Sequence, residues 1–254
     1  MLWKVTDRPV HLMGSMHVMD GQPLILPPEM EVAYSEATRV VFETNPYAEP
    51  NPTLTVLSGD STLSRIVPRD TFVRTRALWS KIGRKDPLKR IPPWLVGLSF
   101  LFGLAAQQGI TTDAGIDRIL WTRAKGHKIT ETLETPDAAI GVFINMPIDE
   151  QIKFLNIFVD LPDQAADGLR FLISCWRERD IGSLAKFLDQ CLLTLPVFYG
   201  ALIEGRNRIW LPHIQRMIGE DSPTLIVVGC LHCVGDTGLP GLLSESGYPI
   251  TRVI

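Results

Sequence analysis

The sequence predicts an α/β fold, in which a central mixed sheet is built from both ends of the chain and flanked by helices. Strand-like runs cluster in residues 1–60 and 221–254. Residues 61–220 have a mostly helical pattern, with one strand near residue 130. No low-complexity linker separates these parts. We therefore expect one domain over residues 1–254 with a largely helical middle insertion.

The predicted strands are short apolar or alternating runs bounded by turn residues. Residues 2–6 and 10–13 flank Asp7-Arg8-Pro9, which is typical of a hairpin turn. Residues 39–43 form an apolar, β-branched run that ends in an acid, and residues 225–228 are wholly apolar, which is typical of a central strand. Further strands are predicted at residues 128–133 and 250–254.

The helices are predicted from apolar periodicity and from signals at their ends. Pro27-Pro28-Glu29 and Thr135-Pro136-Asp137 each place proline and an acid at a helix start. The longest apolar stretch, residues 94–106, is too short to span a bilayer and predicts a buried helix. Helical patterns cover residues 27–37, 71–82, 94–108, 115–125 and, with breaks at 161–163 and 195–196, 147–217.

The composition argues against several classes of protein. The 254 residues are 45% hydrophobic and 21% charged, which is ordinary for a globular protein with a proper core. A net charge of −3 with no basic face argues against nucleic-acid binding, and we interpret the basic residues 81–90 as a solvated loop. Four cysteines are too few for a disulfide scaffold. The first residues resemble a strand rather than a secretory signal, so we expect a cytoplasmic protein unless a signal has been removed.

The same short motif occurs near both ends of the chain. Gly14-Ser15-Met16-His17 follows one apolar run, and Gly229-Cys230-Leu231-His232 follows another. If the two runs are neighbouring strands, both imidazoles emerge at one sheet edge, where ligands of open α/β sheets collect. The alternative for each copy is an ordinary strand-to-loop turn that ends in histidine.

Two glutamates follow predicted strands and complete a candidate metal site. Glu43 comes directly after apolar strand residues and would point where His17 and His232 point. Two histidines and one carboxylate leave coordination positions open for water and substrate, and this mixed donor set suits Mn, Co or Zn. Glu134 is a candidate for a further metal ligand or for the general base. The alternative is that it is a surface acid beside a helix start.

A polar pair interrupts an otherwise apolar helix late in the chain. Arg206 and Asn207 could hold a substrate carboxylate or stabilise a developing oxyanion. On residue type alone, a solvated helix face with an ion pair between Glu204 and Arg208 is the simpler interpretation.

Two further motifs have simpler structural explanations. Gly115-Ile116-Asp117 could cap or orient a ligand, whereas capping of the helix by Asp113 accounts more simply for this segment. Cys230 and Cys233 form a C-x-x-C motif, for which we favour packing at a strand end over a redox or zinc role.

The order of these motifs resembles that of a known family over nearly the whole chain. No single motif is specific to one family, but the ordered set of eight motifs is a strong signal. They are, in order, Leu2-Trp3-Lys4-Val5, the first Gly-x-x-His, Leu26-Pro27-Pro28-Glu29, the strand ending in Glu43, Gly115-Ile116-Asp117, Leu133-Glu134-Thr135, Arg206-Asn207, and Val228-Gly229-x-x-His232 before Gly235 and Gly238-Leu239. The chain is similar in this to the TraB/PrgY/GumN family, which includes the Tiki metalloproteases.

The resemblance implies a fold like that of the erythromycin esterases and the ChaN haem-binding proteins. It also implies a metal-dependent active site, with His17, Glu43 and His232 as metal ligands and with Glu134 and Arg206-Asn207 nearby. Glu43, Glu134, Arg206 and Asn207 are then the candidate catalytic residues. The closing motif departs from the family pattern at Cys230 and Cys233, where a small and an apolar residue are usual.

These features lead to a hypothesis of function with two alternatives. The hypothesis is a metal-dependent hydrolase, with peptides as the leading substrate class and small molecules as the other, in which a divalent ion activates water. The first alternative is a non-catalytic protein that binds or sequesters a peptide or haem. The second is a metal-independent esterase in which histidine acts as general base. The sequence does not indicate an oligomeric state.

Overall fold

The computed structural model describes residues 1–164 and 166–254, and a six-stranded mixed sheet forms its centre. The strands, numbered in chain order, are β1 (Leu2–Val5), β2 (Val10–Ser15), β3 (Met19–Asp20), β4 (Arg39–Phe42), β5 (Ile110–Thr111), β6 (Ile129–Thr132), β7 (Thr224–Gly229) and β8 (Ile250–Arg252). The central sheet has the order β6-β4-β7-β2-β1-β8, and β3 pairs with β5 in a separate two-stranded sheet.

Strand direction divides the central sheet into two parts. The adjacent strands β6, β4, β7 and β2 are all parallel, so their carboxyl ends meet at one edge. Strand β1 is antiparallel to both of its neighbours, β2 and β8. The turn between β1 and β2 uses Asp7 in the left-handed region, with a φ of 57°. The parallel pair β2–β7 brings the two ends of the chain side by side, as predicted for a sheet built from both ends.

Helices flank the sheet and form the middle of the chain, which confirms the predicted α/β class. They are α1 (Pro28–Glu36), α2 (Leu63–Ile66), α3 (Arg69–Lys81), α4 (Pro93–Ala106), α5 (Ile116–Ala124), α6 (Pro136–Ile144), α7 (Ile148–Asp160), α8 (Gln164–Glu178), α9 (Ile181–Thr194), α10 (Pro196–Tyr199), α11 (Arg206–Gly219) and α12 (Leu239–Glu245). Short 3-10 turns span Pro52–Thr55, Leu88–Arg90 and Cys230–Cys233, and a π-helix spans Gly200–Gly205.

Two hydrophobic clusters hold these elements together. The first lies against the sheet, where Phe42 of β4 packs on Trp121 of α5 with ring centroids 5.1 Å apart. The second lies among the middle helices and includes Phe100 of α4 and Phe154 of α7. Tyr199 packs against both clusters and so connects the helical middle to the sheet.

Helix α4 is the apolar segment that the sequence predicted as a buried helix. Val96 and Phe100 are fully buried in the second cluster, whereas Phe102 on the same helix is exposed. Over the described ranges, none of the helices is both long enough and apolar enough to cross a membrane.

Candidate active site

Three neighbouring parallel strands carry the candidate metal ligands at their carboxyl ends. Phe42 of β4 lies opposite Val227 of β7, and Ser15 of β2 lies opposite Gly229. Glu43 and both histidine motifs therefore leave the sheet at the same edge. The two motifs are staggered by one residue, because Gly14 lies opposite Val228. The edge is thus built by three segments that are distant in sequence.

Both histidines approach a single oxygen of Glu43. The Nε2 atom of His17 lies 3.6 Å from Glu43 Oε1, and that of His232 lies 3.8 Å from the same atom. The backbone N–H of Gly229 donates to this oxygen at 2.5 Å. A Cβ on Gly229 would lie 3.2 Å from Glu43 Oε1 and 3.4 Å from His17 Nε2. Glycine at this position therefore leaves the space between the three side chains open.

Each imidazole also has a partner at its Nδ1 atom. His17 Nδ1 lies 3.0 Å from Asp117 Oδ2, and His232 Nδ1 lies 2.7 Å from Asn207 Oδ1. The amide nitrogen of Asn207 donates to the carbonyl oxygens of His232 and Thr237, at 3.2 and 2.8 Å, so its oxygen is the atom that accepts from the ring. The network therefore assigns the proton of His232 to Nδ1 and leaves a lone pair on Nε2.

Arg206 supplies the positive charge of the buried half of the site. Its Nη2 donates at 2.6 Å to both Glu43 Oε2 and Glu134 Oε1, and its Nη1 donates to His232 Nε2 at 3.2 Å. The indole N–H of Trp210 donates to the other oxygen of Glu134 at 3.2 Å. The Arg206 side chain is 9% exposed and both glutamate side chains are 7% exposed. These charges are therefore buried, paired and hydrogen-bonded, as buried charges must be.

A π-helix that the sequence did not predict precedes Arg206. It spans Gly200–Gly205 and joins α10 to α11, and π-helical turns often occur at functional sites. Arg206 and Asn207 face the interior, whereas Arg208 faces outward and donates to Glu204 at 2.9 Å. The helix therefore contains the predicted surface ion pair and also directs two side chains to the sheet edge.

The two histidines have opposite electrostatic environments. Partial desolvation opposes protonation of the half-exposed His17 ring, but the carboxylates of Asp117 and Glu43 outweigh it and raise the pKa of His17 to about 9. Burial, with a contribution from Arg206, lowers the pKa of His232 to about 3. Burial alone would raise the pKa of Glu43, but Arg206 and the two histidines hold that pKa well below its usual range. Glu43 is therefore ionised near neutral pH.

Asp117 is the site residue that the sequence assigned least securely. The predicted capping of α5 by Asp113 is wrong: the helix starts at Ile116 with Gly115 at its N-cap, and Asp113 pairs instead with Arg118 at 3.0 Å. An acid in the first turn of a helix is too common to indicate a contact with a histidine 100 residues away. Trp210, which supports Glu134, had no sequence signal beyond its apolar character.

The cysteines of the closing motif are buried thiols beneath the site. Both Cys230 and Cys233 are free and buried, and burial raises the pKa of Cys230 to about 12. A Cβ on Gly14 would lie 3.1 Å from the Cα of Cys230, which shows how closely β2 and the turn after β7 pack. These contacts favour the packing role.

The fit of a divalent cation can be judged from the donor set. Two imidazole Nε2 atoms and a carboxylate are suitable ligands, and each imidazole has the Nδ1 acceptor that metal-binding histidines use. In the described part of the chain, no three His, Cys, Asp or Glu side chains are already gathered as a metal centre. The separations of 3.6 and 3.8 Å exceed the roughly 3.3 Å between tetrahedral ligands with bonds of about 2.0 Å. The residues fit in chemistry, and binding would require these separations to shorten, His17 Nε2 to lose its proton, and the Arg206–His232 hydrogen bond to break.

A recess of about 660 Å³ lies elsewhere on the molecule, between α3 and residues 83–89. Its lining includes Arg76, Trp79 and Lys85 and contains none of the residues described above. Converging titratable groups identify a candidate active site better than size alone. The sheet edge is therefore the candidate site.

Of the comparisons with known proteins, the one with family models gives a match. The model of the TraB/PrgY/gumN family matches residues 1–252, which is nearly the whole chain. Searches of curated proteins and of solved structures find no match.

Proposed function

The chain belongs to the TraB/PrgY/gumN family, and we propose that it is a metal-dependent hydrolase in which His17, Glu43 and His232 hold a divalent cation. One observation carries the proposal. The Nε2 atoms of both histidines approach the same Glu43 oxygen, while the Nδ1 atom of each ring is engaged by an acceptor. Mn, Co and Zn suit these ligands. Peptides are the first substrates to test, because the sequence resembles a family that includes metalloproteases.

The cation would supply Lewis acidity, which polarises a substrate carbonyl and lowers the pKa of water. The protein provides an open side and a closed side around this position. The side chain of His17 is 51% exposed, whereas that of His232 is 4% exposed. Substrate therefore approaches from the side of His17, and His232 forms the base of the site.

The remaining polar residues have distinct roles in this proposal. Arg206 Nη1 donates to His232 Nε2. If His232 held a cation, this N–H would be free to donate to a substrate oxygen that gains negative charge. Glu134 has donors at both oxygens, which is the arrangement of a counter-ion to Arg206. Asn207 holds the ring of His232. We therefore assign Arg206 to catalysis, and Glu134 and Asn207 to positioning.

The geometry gives less support to the haem-binding alternative and leaves the esterase to be separated by experiment. Both imidazoles are within 4 Å of one carboxylate oxygen, a spacing that suits a small cation and does not admit a porphyrin between the rings. A histidine base for an esterase needs a free, unprotonated nitrogen near neutral pH. His232 Nε2 already accepts from Arg206, and the two carboxylates beside His17 favour its protonated form. A metal site must overcome the same two contacts, so the sensitivity of activity to a chelator separates the esterase from the metal-dependent hydrolase.

The proposal is tested by metal analysis of the purified protein together with peptide cleavage in the presence and absence of a chelator. We expect one equivalent of divalent metal, cleavage that stops with chelator, and recovery when metal is restored. His17→Ala and His232→Ala should each lose the metal and the activity.

His11→Gln is the matched control, because His11 lies in the same strand as the first motif but pairs with Lys4 on the neighbouring strand. It should retain both metal and activity. Metal-free protein whose His17→Ala variant cleaves peptides as well as the parent does would contradict the proposal. Metal binding without turnover would instead favour the non-catalytic alternative.

A further inference from the structure

The loop that carries His17 makes backbone hydrogen bonds with residues 110–117 on both sides of the histidine. On the far side of His17, Met19 and Asp20 of β3 pair with Thr111 and Ile110 of β5. On the near side, the backbone N–H of Ile116 donates to the carbonyl oxygen of Met16 at 2.9 Å. Residues 110–117, which include β5 and the start of α5, are thus held against the backbone of this loop on both sides of His17.

Gly115 makes this close approach possible. A Cβ at this position would lie 2.4 Å from the carbonyl oxygen of His17 and 2.9 Å from its carbonyl carbon. The φ of Gly115 is −59°, which any residue can adopt, so glycine is required here for space and not for backbone conformation. A larger residue would push the start of α5 away from His17.

The close approach of α5 brings the side chain of Asp117 to His17. One oxygen, Oδ2, lies 3.0 Å from His17 Nδ1. The other, Oδ1, is buried and has no hydrogen-bond partner among the residues that the structure describes. A carboxylate oxygen without a partner is costly to bury, so its position calls for an explanation. The contact with His17 provides one.

We propose that Gly115 and Asp117 position His17: Asp117 accepts the Nδ1 proton of the ring and so turns Nε2 toward Glu43, and Gly115 allows the helix to come close enough for that contact. The purpose of this arrangement rests on the proposed function, since an Nε2 atom held toward Glu43 is what a cation would need. The contact itself does not depend on that function and can be measured without metal.

The first experiment uses NMR of the metal-free protein. A hydrogen-bonded Nδ1 proton of His17 should appear as a downfield signal that is protected from exchange. The signal should vanish in Asp117→Ala and persist, shifted, in Asp117→Asn, which keeps an oxygen acceptor but loses the charge. Asp113→Ala is the matched control, because Asp113 precedes the same helix but pairs with Arg118, and it should leave the signal unchanged.

The second experiment measures Co²⁺ affinity by its visible absorption. Asp117→Ala should bind Co²⁺ about 10- to 100-fold more weakly than the parent, which is the usual cost of removing a residue that orients a metal ligand. Asp117→Asn should lie between the two, and Asp113→Ala should match the parent. Gly115→Ala should lose at least as much affinity as Asp117→Ala. If it does not fold, the two Asp117 variants still decide the question.

The outcomes separate this inference from the proposed function. A protected Nδ1 signal that survives in Asp117→Ala, or Co²⁺ affinity that does not change in that variant, would overturn the positioning role. If the parent protein binds no Co²⁺, Mn²⁺ or Zn²⁺ while the NMR signal still depends on Asp117, the proposed function fails and the contact stands.

Discussion

His17 and His232 end identical motifs on adjacent parallel strands, yet they sit in opposite surroundings. His17 is half-exposed, its partner is a carboxylate, and its pKa is raised to about 9. His232 is buried, its partner is an amide, and its pKa is lowered to about 3. The comparison teaches that the motif places an imidazole at the sheet edge, whereas the burial of each ring and the helix packed against it decide its charge.

The two helices explain the difference. The start of α5 brings Asp117 to His17, and α11 brings Arg206 and Asn207 to His232. An anion on one side and a cation on the other push the two pKa values apart, and divergent pKa values of neighbouring groups are typical of functional sites.

The largest effect is expected from removing the cation of the buried side. Arg206→Met leaves Glu43 and Glu134 buried without their counter-ion, so the free energy of unfolding should fall by about 3–5 kcal/mol. The pKa of His232 should also rise, because Arg206 helps to lower it. Chemical denaturation measures the first effect, and NMR titration of the imidazole measures the second.

Arg208→Met is the matched control for this substitution. Arg208 lies two residues further along α11, its side chain is 61% exposed, and it pairs with Glu204. Its loss should change the free energy of unfolding by no more than about 0.5 kcal/mol. Equal losses in the two variants would show that the buried charges are not coupled as described.

A smaller effect should distinguish the glycines of the two motifs. A Cβ on Gly14 would meet the backbone of Cys230 at 3.1 Å, so Gly14→Ala should lower the free energy of unfolding by about 1–3 kcal/mol through overpacking. A Cβ on Gly229 would meet only side-chain atoms of the site, so Gly229→Ala should stay within about 1 kcal/mol of the parent.

For these two glycines, the effect on metal binding should have the opposite order to the effect on stability. Gly229→Ala narrows the space between Glu43 and His17 and should weaken Co²⁺ binding, whereas Gly14→Ala, once folded, should bind nearly as the parent does. Thermal denaturation and Co²⁺ titration of both variants provide the comparison. Gly229→Ala with unchanged affinity would show that the space beside the glycine is not where a cation binds.

A last effect, spread over several pH units, is a dependence of stability on pH in the metal-free protein. The folded state keeps the proton of His17 up to about pH 9, whereas the unfolded state loses it near 6.5, so stability from this group is full below 6.5 and is lost as pH rises through 9. The folded state admits a proton on His232 only near pH 3, so stability from that group is present above 6.5 and is lost as pH falls toward 3.

Urea denaturation across pH tests this prediction, with a slope for His232 of at most about 1.4 kcal/mol per pH unit. The exposure of His17 makes its slope smaller because solvent screens its partners. His17→Gln should flatten only the alkaline side of the curve, and His232→Gln should reduce only the slope on the acid side. A variant that changes the opposite side would show that the two environments have been assigned the wrong way round.

Much of the fold was predictable because its signals are local. Apolar runs with turn residues at their ends identified the strands that became β1, β2, β4, β6, β7 and β8, and proline with an acid marked the starts of α1 and α6. The short strands β3 and β5 were not predicted, since two-residue strands form only where their partner lies. The π-helix before Arg206 was likewise not predicted.

By itself, the sequence determined that two histidines and a glutamate lie where strands end. Apolar runs and the turn residues that follow them are properties of neighbouring residues, so they can be recognised without the fold. Only the tertiary structure decided that these strands are adjacent, that Asp117 faces His17, and that Arg206 joins Glu43 to Glu134. Those contacts join residues from 72 to 163 positions apart. Charge, burial and hydrogen bonding arise from such long-range neighbours, so the chemistry of the site depends on the completed fold.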